Sequence, residues 1–261
     1  MLGKKLNKKA QVTIFIILAL IIVVSVVLIV LLMQGPKDEP TVADETDPQS
    51  YIENCVKDSL EEVVQILMKQ GGYVDPLPLD YKLYEDEKVS YLCYNDEPGK
   101  ECFVLESDLE LHLEEEINNY LEPRIESCFS TLETALKEKN YLVSVGDMSF
   151  ETKIEPGQVV VEINREFEST KRGNQQKIDN FRLGYIYPVK ELSFHTMKIL
   201  TNEAFLGNCY DNNNIRLTEY SIDNPPLIAE RVLMGENNWI YTLTMNEFKF
   251  KFAIRSCVSS I

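Results

Sequence analysis

The sequence predicts an α+β protein: an N-terminal transmembrane helix, then an extracellular body of two long helices, an antiparallel β-meander, a third helix and C-terminal strands. Three observations carry this expectation. Between Val12 and Met33 only Thr13 and Ser25 bear a polar group, and both hydroxyls can bond back to their own helix. After residue 50, two long stretches repeat apolar residues every three or four positions, and beyond Asn140 the period drops to two. No acidic residue precedes Asp38, and no cysteine precedes Cys55.

The apolar segment comes first. As a helix it would reach about 33 Å, close to the roughly 30 Å hydrocarbon thickness. A core helix would show a polar stripe, and a cleaved secretory signal would have a shorter apolar run ending in small residues, whereas Met33-Gln34-Gly35-Pro36 follows here. Lys4, Lys5, Lys8 and Lys9 precede the span and Asp38, Glu39, Asp44, Glu45 and Asp47 follow it. The positive-inside rule therefore puts the N-terminus in the cytoplasm and the rest outside the cell membrane. Four parts follow: a basic cytoplasmic segment (1–10), a membrane helix (11–34), an acidic stalk (35–50) and an extracellular α+β domain (51–261).

The run Lys8-Lys9-Ala10-Gln11-Val12-Thr13-Ile14-Phe15 resembles the class III signal peptide of archaeal pilin-like proteins. The resemblance implies cleavage between Ala10 and Gln11. In that family an acidic residue usually follows within the hydrophobic run, where Ile14, Phe15 and Ile16 stand, so a permanent uncleaved anchor is the preferred reading. Tyr51-Ile-Glu-Asn-Cys55, Gln70-Gly71-Gly72-Tyr73 and Phe248-Lys-Phe-Lys-Phe-Ala253 look like a group of uncharacterised archaeal single-pass membrane proteins, a likeness that implies no activity.

The stalk has Pro36, Pro40 and Pro48 and no aromatic residue, a composition that stays extended. Asp47 and Pro48 start a helix, with a capping oxygen ahead of a proline at the first helical position. Tyr51, Ile52, Cys55, Val56, Leu60, Val63, Val64 and Leu67 form its apolar face, and Gly71-Gly72 end it. Residues 73–103 are rich in proline and tyrosine and read as a loop with a short hairpin. A second helix begins with Ser107 and Glu110 as a capping box and runs to about Lys139, with Pro123 expected to kink or divide it.

Strands are expected over Met148 to Ile154, Val159 to Phe167 and Ile178 to Tyr187, joined by Glu155-Pro156-Gly157-Gln158 and Lys171-Arg172-Gly173-Asn174 turns. Pro188 opens a third helix to about Leu206. Further strands are expected over Ile215 to Ile222, Leu227 to Leu233, and Trp239 to Ile254 with a break near Asn246.

An even number of cysteines in an oxidising compartment argues for three disulfides, although six cysteines allow 15 pairings. The preferred set is Cys93–Cys102, Cys55–Cys128 and Cys209–Cys257, with free buried thiols as the alternative. His112, Glu115 and Glu116 share a helical face that could hold a divalent ion, the plainer reading being a solvated acidic face. His195 reads as a packed or edge histidine, and Asp211-Asn-Asn-Asn214 as a turn lacking the glycine and glutamate of a calcium loop. No nucleophile elbow, phosphate-cradling glycine loop or Cys/His pair is present. No cofactor, metal or catalytic residue is therefore assigned.

From Asp38 onward the chain carries 21 basic and 42 acidic side chains, a net charge of −21. Such a field repels nucleic acid and anionic lipid headgroups. Tyr73, Tyr81, Tyr84, Tyr91 and Tyr94 cluster between the first two helices, where they form either a recognition surface or a loop packing. The expected role is a membrane-anchored cell-surface protein of interaction or envelope-structural type, bound to the bilayer through residues 11–34. Its expected partner is an envelope or surface protein or polymer. The alternatives are a pilin-like filament subunit processed before Gln11 and, third, an envelope enzyme.

Overall fold

The computed structural model describes residues 47–77, 80–97, 100–205, 227–235 and 237–256. The Ala10/Gln11 junction, the expected membrane span, residues 35–46 of the stalk, the Asp211–Asn214 turn, the strand at 215–222 and the Cys209–Cys257 pair lie outside the described residues. Among the described residues no helix is long and apolar enough to cross a membrane.

Helix α1, Pro48–Lys69, takes in the last three residues assigned to the stalk, with Pro48 in its first turn. Asp47 caps by position only: its carboxylate accepts from the Ser50 hydroxyl (2.7 Å) and not from a backbone N–H of the first turn. The apolar stripe Ile52, Val56, Leu60, Val63, Val64 and Leu67 is buried. Each such side chain contributes about 1.5–3 kcal/mol relative to remaining exposed. The helix stops where Gly71 and Gly72 adopt positive φ and the Gly72 N–H returns to the Leu67 carbonyl (2.8 Å), the long bond of a Schellman ending.

Helix α2, Leu109–Glu138, starts one residue later than expected. Asp108, not Ser107, caps it by accepting from the Leu111 N–H (3.1 Å). It runs unbroken through Pro123. Beside that position the Arg124 guanidinium donates to the Tyr120 carbonyl (2.8 Å) and lies 3.3 Å from the Tyr120 ring centre, supporting the turn that proline weakens. Asn140, at φ 62°, ends the helix with Tyr141 N–H returning to the Leu136 carbonyl (3.0 Å). Helix α3 is Val189–Phe205.

Ten strands lie among the described residues. β1 (Tyr81–Tyr84), β2 (Glu87–Tyr94) and β3 (Phe103–Val104) lie in the stretch expected as a loop with a short hairpin, and β1 and β2 pair antiparallel. Glu85 and Asp86 both take positive φ, giving the two-residue turn between β1 and β2 without the usual glycine or asparagine. β4 (Leu142–Val145) was not expected, and its alternate residues are exposed. β5 (Ser149–Glu155), β6 (Gln158–Lys171) and β7 (Asn174–Ile186) form the expected meander, with β4 and β5 sharing one edge of β6. The Pro156-Gly157 and Arg172-Gly173 turns place glycine at φ 75° and 85°.

β8 (Leu227–Leu233), β9 (Asn238–Met245) and β10 (Phe248–Arg255) follow, with the break at Asn246. β10 joins β2 in parallel, so the last strands and the early hairpin form one sheet in the order β1-β2-β10-β9-β8. A single core cluster unites the helices with both sheets, and α1 packs against α2, β7 and β10. A smaller cluster of Val89, Tyr91, Ile240 and Ala253 is separate from it. Among the described residues two disulfides are formed, Cys55–Cys128 between α1 and α2 and Cys93–Cys102 between β2 and the residue preceding β3.

Candidate functional site

β2 touches β10 only through Tyr91–Tyr94. Toward its start, residues 87–90 pair with β1 instead, leaving Phe248–Lys251 of β10 without a strand from β2. A cleft of about 630 Å³ lies there, also lined by the end of α1, by Tyr185 near the end of β7 and by Tyr187 just after it. Its walls carry Tyr84, Tyr185, Tyr187 and Phe248. The lining also includes Glu85, Glu87, Glu230 and Glu247, Lys69, Lys249 and Lys251, and the uncharged Gln65, Met68 and Thr242.

The aromatic groups contact other residues of the lining. The Tyr187 hydroxyl donates to the Lys249 carbonyl (2.9 Å) and accepts from the Lys249 N–H (3.2 Å), occupying the position a neighbouring strand would take. Its ring lies 4.5 Å from Phe248, and burial raises its pKa above the ordinary tyrosine value. Gln65 donates to the Tyr185 hydroxyl at 3.5 Å. Lys251 is 17% exposed, sits 5.2 Å from the Tyr84 ring centre and pairs with Glu85 at 2.5 Å. That hydrogen bond lowers the Glu85 carboxyl below its ordinary value.

Comparison with protein-family models, with curated proteins and with solved structures finds no match.

Of the five tyrosines singled out in the sequence, only Tyr84 lines the cleft. Tyr91 is 5% exposed and donates to Asn238 (2.7 Å), so it is a core residue and not part of an open surface. Tyr94 packs edge-on against it at 5.2 Å, with Arg255 5.7 Å from its ring centre. Tyr73 is half-buried, with its ring 4.4 Å from His112 and its hydroxyl donating to Glu106. Burial and Glu106 raise its pKa. Tyr81 lies near Lys88, 5.4 Å from ring centre to ammonium. Tyr185 and Tyr187 were read only as strand positions, because alternation in β7 says nothing about which neighbour covers the strand end.

Among the described residues His112, Glu115 and Glu116 do not form a group that could hold a metal ion; Glu115 is exposed, as a solvated face requires, while the other two are partly buried. His112 Nε2 bonds the Gly72 carbonyl (2.9 Å) and Glu116 accepts from the Val74 N–H (2.9 Å). These backbone groups leave α1 without helical partners, and the α2 side chains satisfy them. His195 contacts the Phe194 ring at 5.4 Å and is partly buried.

A second polar cluster was invisible in the sequence. Tyr241 is fully buried and donates to Glu203 (2.7 Å), while Arg231, 3.8 Å from Glu203, lies 4.5 Å from the Trp239 ring centre. Burial, then Glu203, raises the Tyr241 pKa. These groups tie α3 to β8 and β9.

Proposed function

We propose that the protein is a membrane-anchored cell-surface protein, cytoplasmic at its N-terminus, whose acidic body binds a macromolecular partner. The observation that carries the reading is the cleft beside β10: it is open, and of its aromatic residues Tyr187 is anchored to the Lys249 backbone and packs on Phe248 before any ligand arrives. Preorganised aromatic surface of this kind gives contact area at little ordering cost. The two disulfides fit an oxidising compartment, and the lysines before the apolar span with acids after it support the orientation.

Protease added to intact cells should remove the body and leave a tag at residue 1 protected; a protected body refutes the orientation. Incubating membranes that carry the full chain with envelope extract should yield a captured macromolecule that is lost when Tyr84 and Tyr185 are replaced by alanine. Capture indifferent to those changes refutes the assigned surface. The Lys8–Phe15 motif favours a second reading, a filament subunit processed before Gln11. N-terminal sequencing separates the two, since a mature chain starting at Gln11 supports the filament.

A further inference from the structure

We infer that the cleft beside β10 is a saccharide site that takes a neutral hexopyranose chain. The inference rests on the binding role proposed above and specifies its ligand. Three features of the lining select this class.

The first is charge. In a chain whose net charge from Asp38 onward is −21, the cleft lining has four carboxylates and three ammonium groups and is nearly balanced. A strongly basic segment meets the lysines there, and an anionic one meets the carboxylates and the field of the whole body. A neutral ligand meets neither penalty. The second is the type of polar group. Carboxylates, ammonium groups, the Gln65 amide and the Thr242 hydroxyl bring both acceptors and donors to the lining of one opening. A sugar hydroxyl donates and accepts at once, so it uses both kinds within one ring, and hydrogen bonds to charged groups are the stronger ones. The third is the aromatic wall. Tyr84, Tyr185 and Phe248 are each partly exposed at the cleft, and the C–H face of a pyranose is an apolar plane that packs on such rings.

A peptide strand is the competing occupant, and the backbone disfavours it. Adding a strand to β10 requires free N–H and C=O groups on its open edge. At Lys249 the Tyr187 hydroxyl already bonds both. The volume, about 630 Å³, falls inside the roughly 300–1,000 Å³ range of small-ligand sites and suits a short stretch of a longer chain.

The test is calorimetric titration of the full-length protein in lipid nanodiscs with maltotetraose, mannotetraose and chitotetraose. At least one should bind with a Kd of about 1 mM or tighter, with little dependence on salt. Glu230→Gln, at an exposed position that should leave the fold intact, and Tyr185→Leu should each weaken that binding about tenfold, with melting of the variants measured alongside. No binding of any of the three at about 10 mM, or binding indifferent to both substitutions, overturns the inference. If the cleft variants instead abolish capture of a charged envelope polypeptide, the saccharide assignment falls while the macromolecular binding role stands.

Discussion

Removing the bridge between α1 and α2 should cost the body more than removing the bridge beside β3, and the difference can be worked from chain separation. Cys55 and Cys128 are 73 residues apart, whereas Cys93 and Cys102 are 9 apart. Loop-closure entropy gives about 4.4 kcal/mol for the first and about 2.6 kcal/mol for the second at 25 °C. Replacing either pair by alanine removes two sulfur atoms, so the packing losses are similar and the gap of about 2 kcal/mol reflects the loops. For a body of about 210 residues, each kcal/mol moves Tm by about 2–4 °C. The Cys55→Ala/Cys128→Ala chain should therefore melt about 9–18 °C lower, and the Cys93→Ala/Cys102→Ala chain about 5–10 °C lower. Thermal unfolding of both variants against the oxidised parent, at equal concentration without reductant, measures this. A larger loss from the short loop, or a loss below about 3 °C from the long one, would refute unfolded-state restriction as the main contribution of the bridge.

Other consequences are local. Gly71→Ala should destabilise the body by about 2–4 kcal/mol in chemical denaturation, because a Cβ there meets the Ser90 carbonyl oxygen at 2.9 Å and its φ is 73°. Gly173→Ala, with φ 85° and open space around it, should lose only about 1–2 kcal/mol, and equal losses would show that contact with β2 is not what requires Gly71. Tyr241→Phe leaves Glu203 and Arg231 without their shared hydroxyl and should cost about 1–3 kcal/mol; an unchanged melting point would count against that network. Tyr73, Tyr187 and Tyr241 all resist ionisation when folded, chiefly through burial. Their raised values contribute stability that is complete below about pH 10 and is lost as pH rises beyond it, so phenolate absorbance of these three should appear together with unfolding. Alkylation without reduction should leave Cys55, Cys93, Cys102 and Cys128 unlabelled in intact-mass measurement, and labelling of any of them contradicts the two bridges.

The three helices of the described residues and the β5–β7 meander were legible in the sequence because short-range rules specify them, whereas the pairs Cys55–Cys128 and Cys93–Cys102 were expected from the even cysteine number and from the elements that carry them. The stripe Ile52 to Leu67 repeats with the helical turn, Gly71-Gly72 and Asn140 supply the left-handed residues that end helices, and Pro156-Gly157 fits its turn. Cap identity was less legible: Ser107 and Asp108 are both capping types, and only the backbone path decides which oxygen meets the Leu111 N–H. Tertiary structure alone decided that β10 pairs in parallel with β2 from more than 150 residues away, since a strand's alternation specifies its two faces and not its neighbour. It also decided the fate of the tyrosines. Tyr91 and Tyr185 are the same residue type on alternating strands, yet Ile240 and Ala253 help enclose one, while the divergence of β2 from β10 leaves the other at an open cleft. Burial depends on what a distant segment places over a side chain, and that information is shared between segments, so no single stretch of sequence contains it.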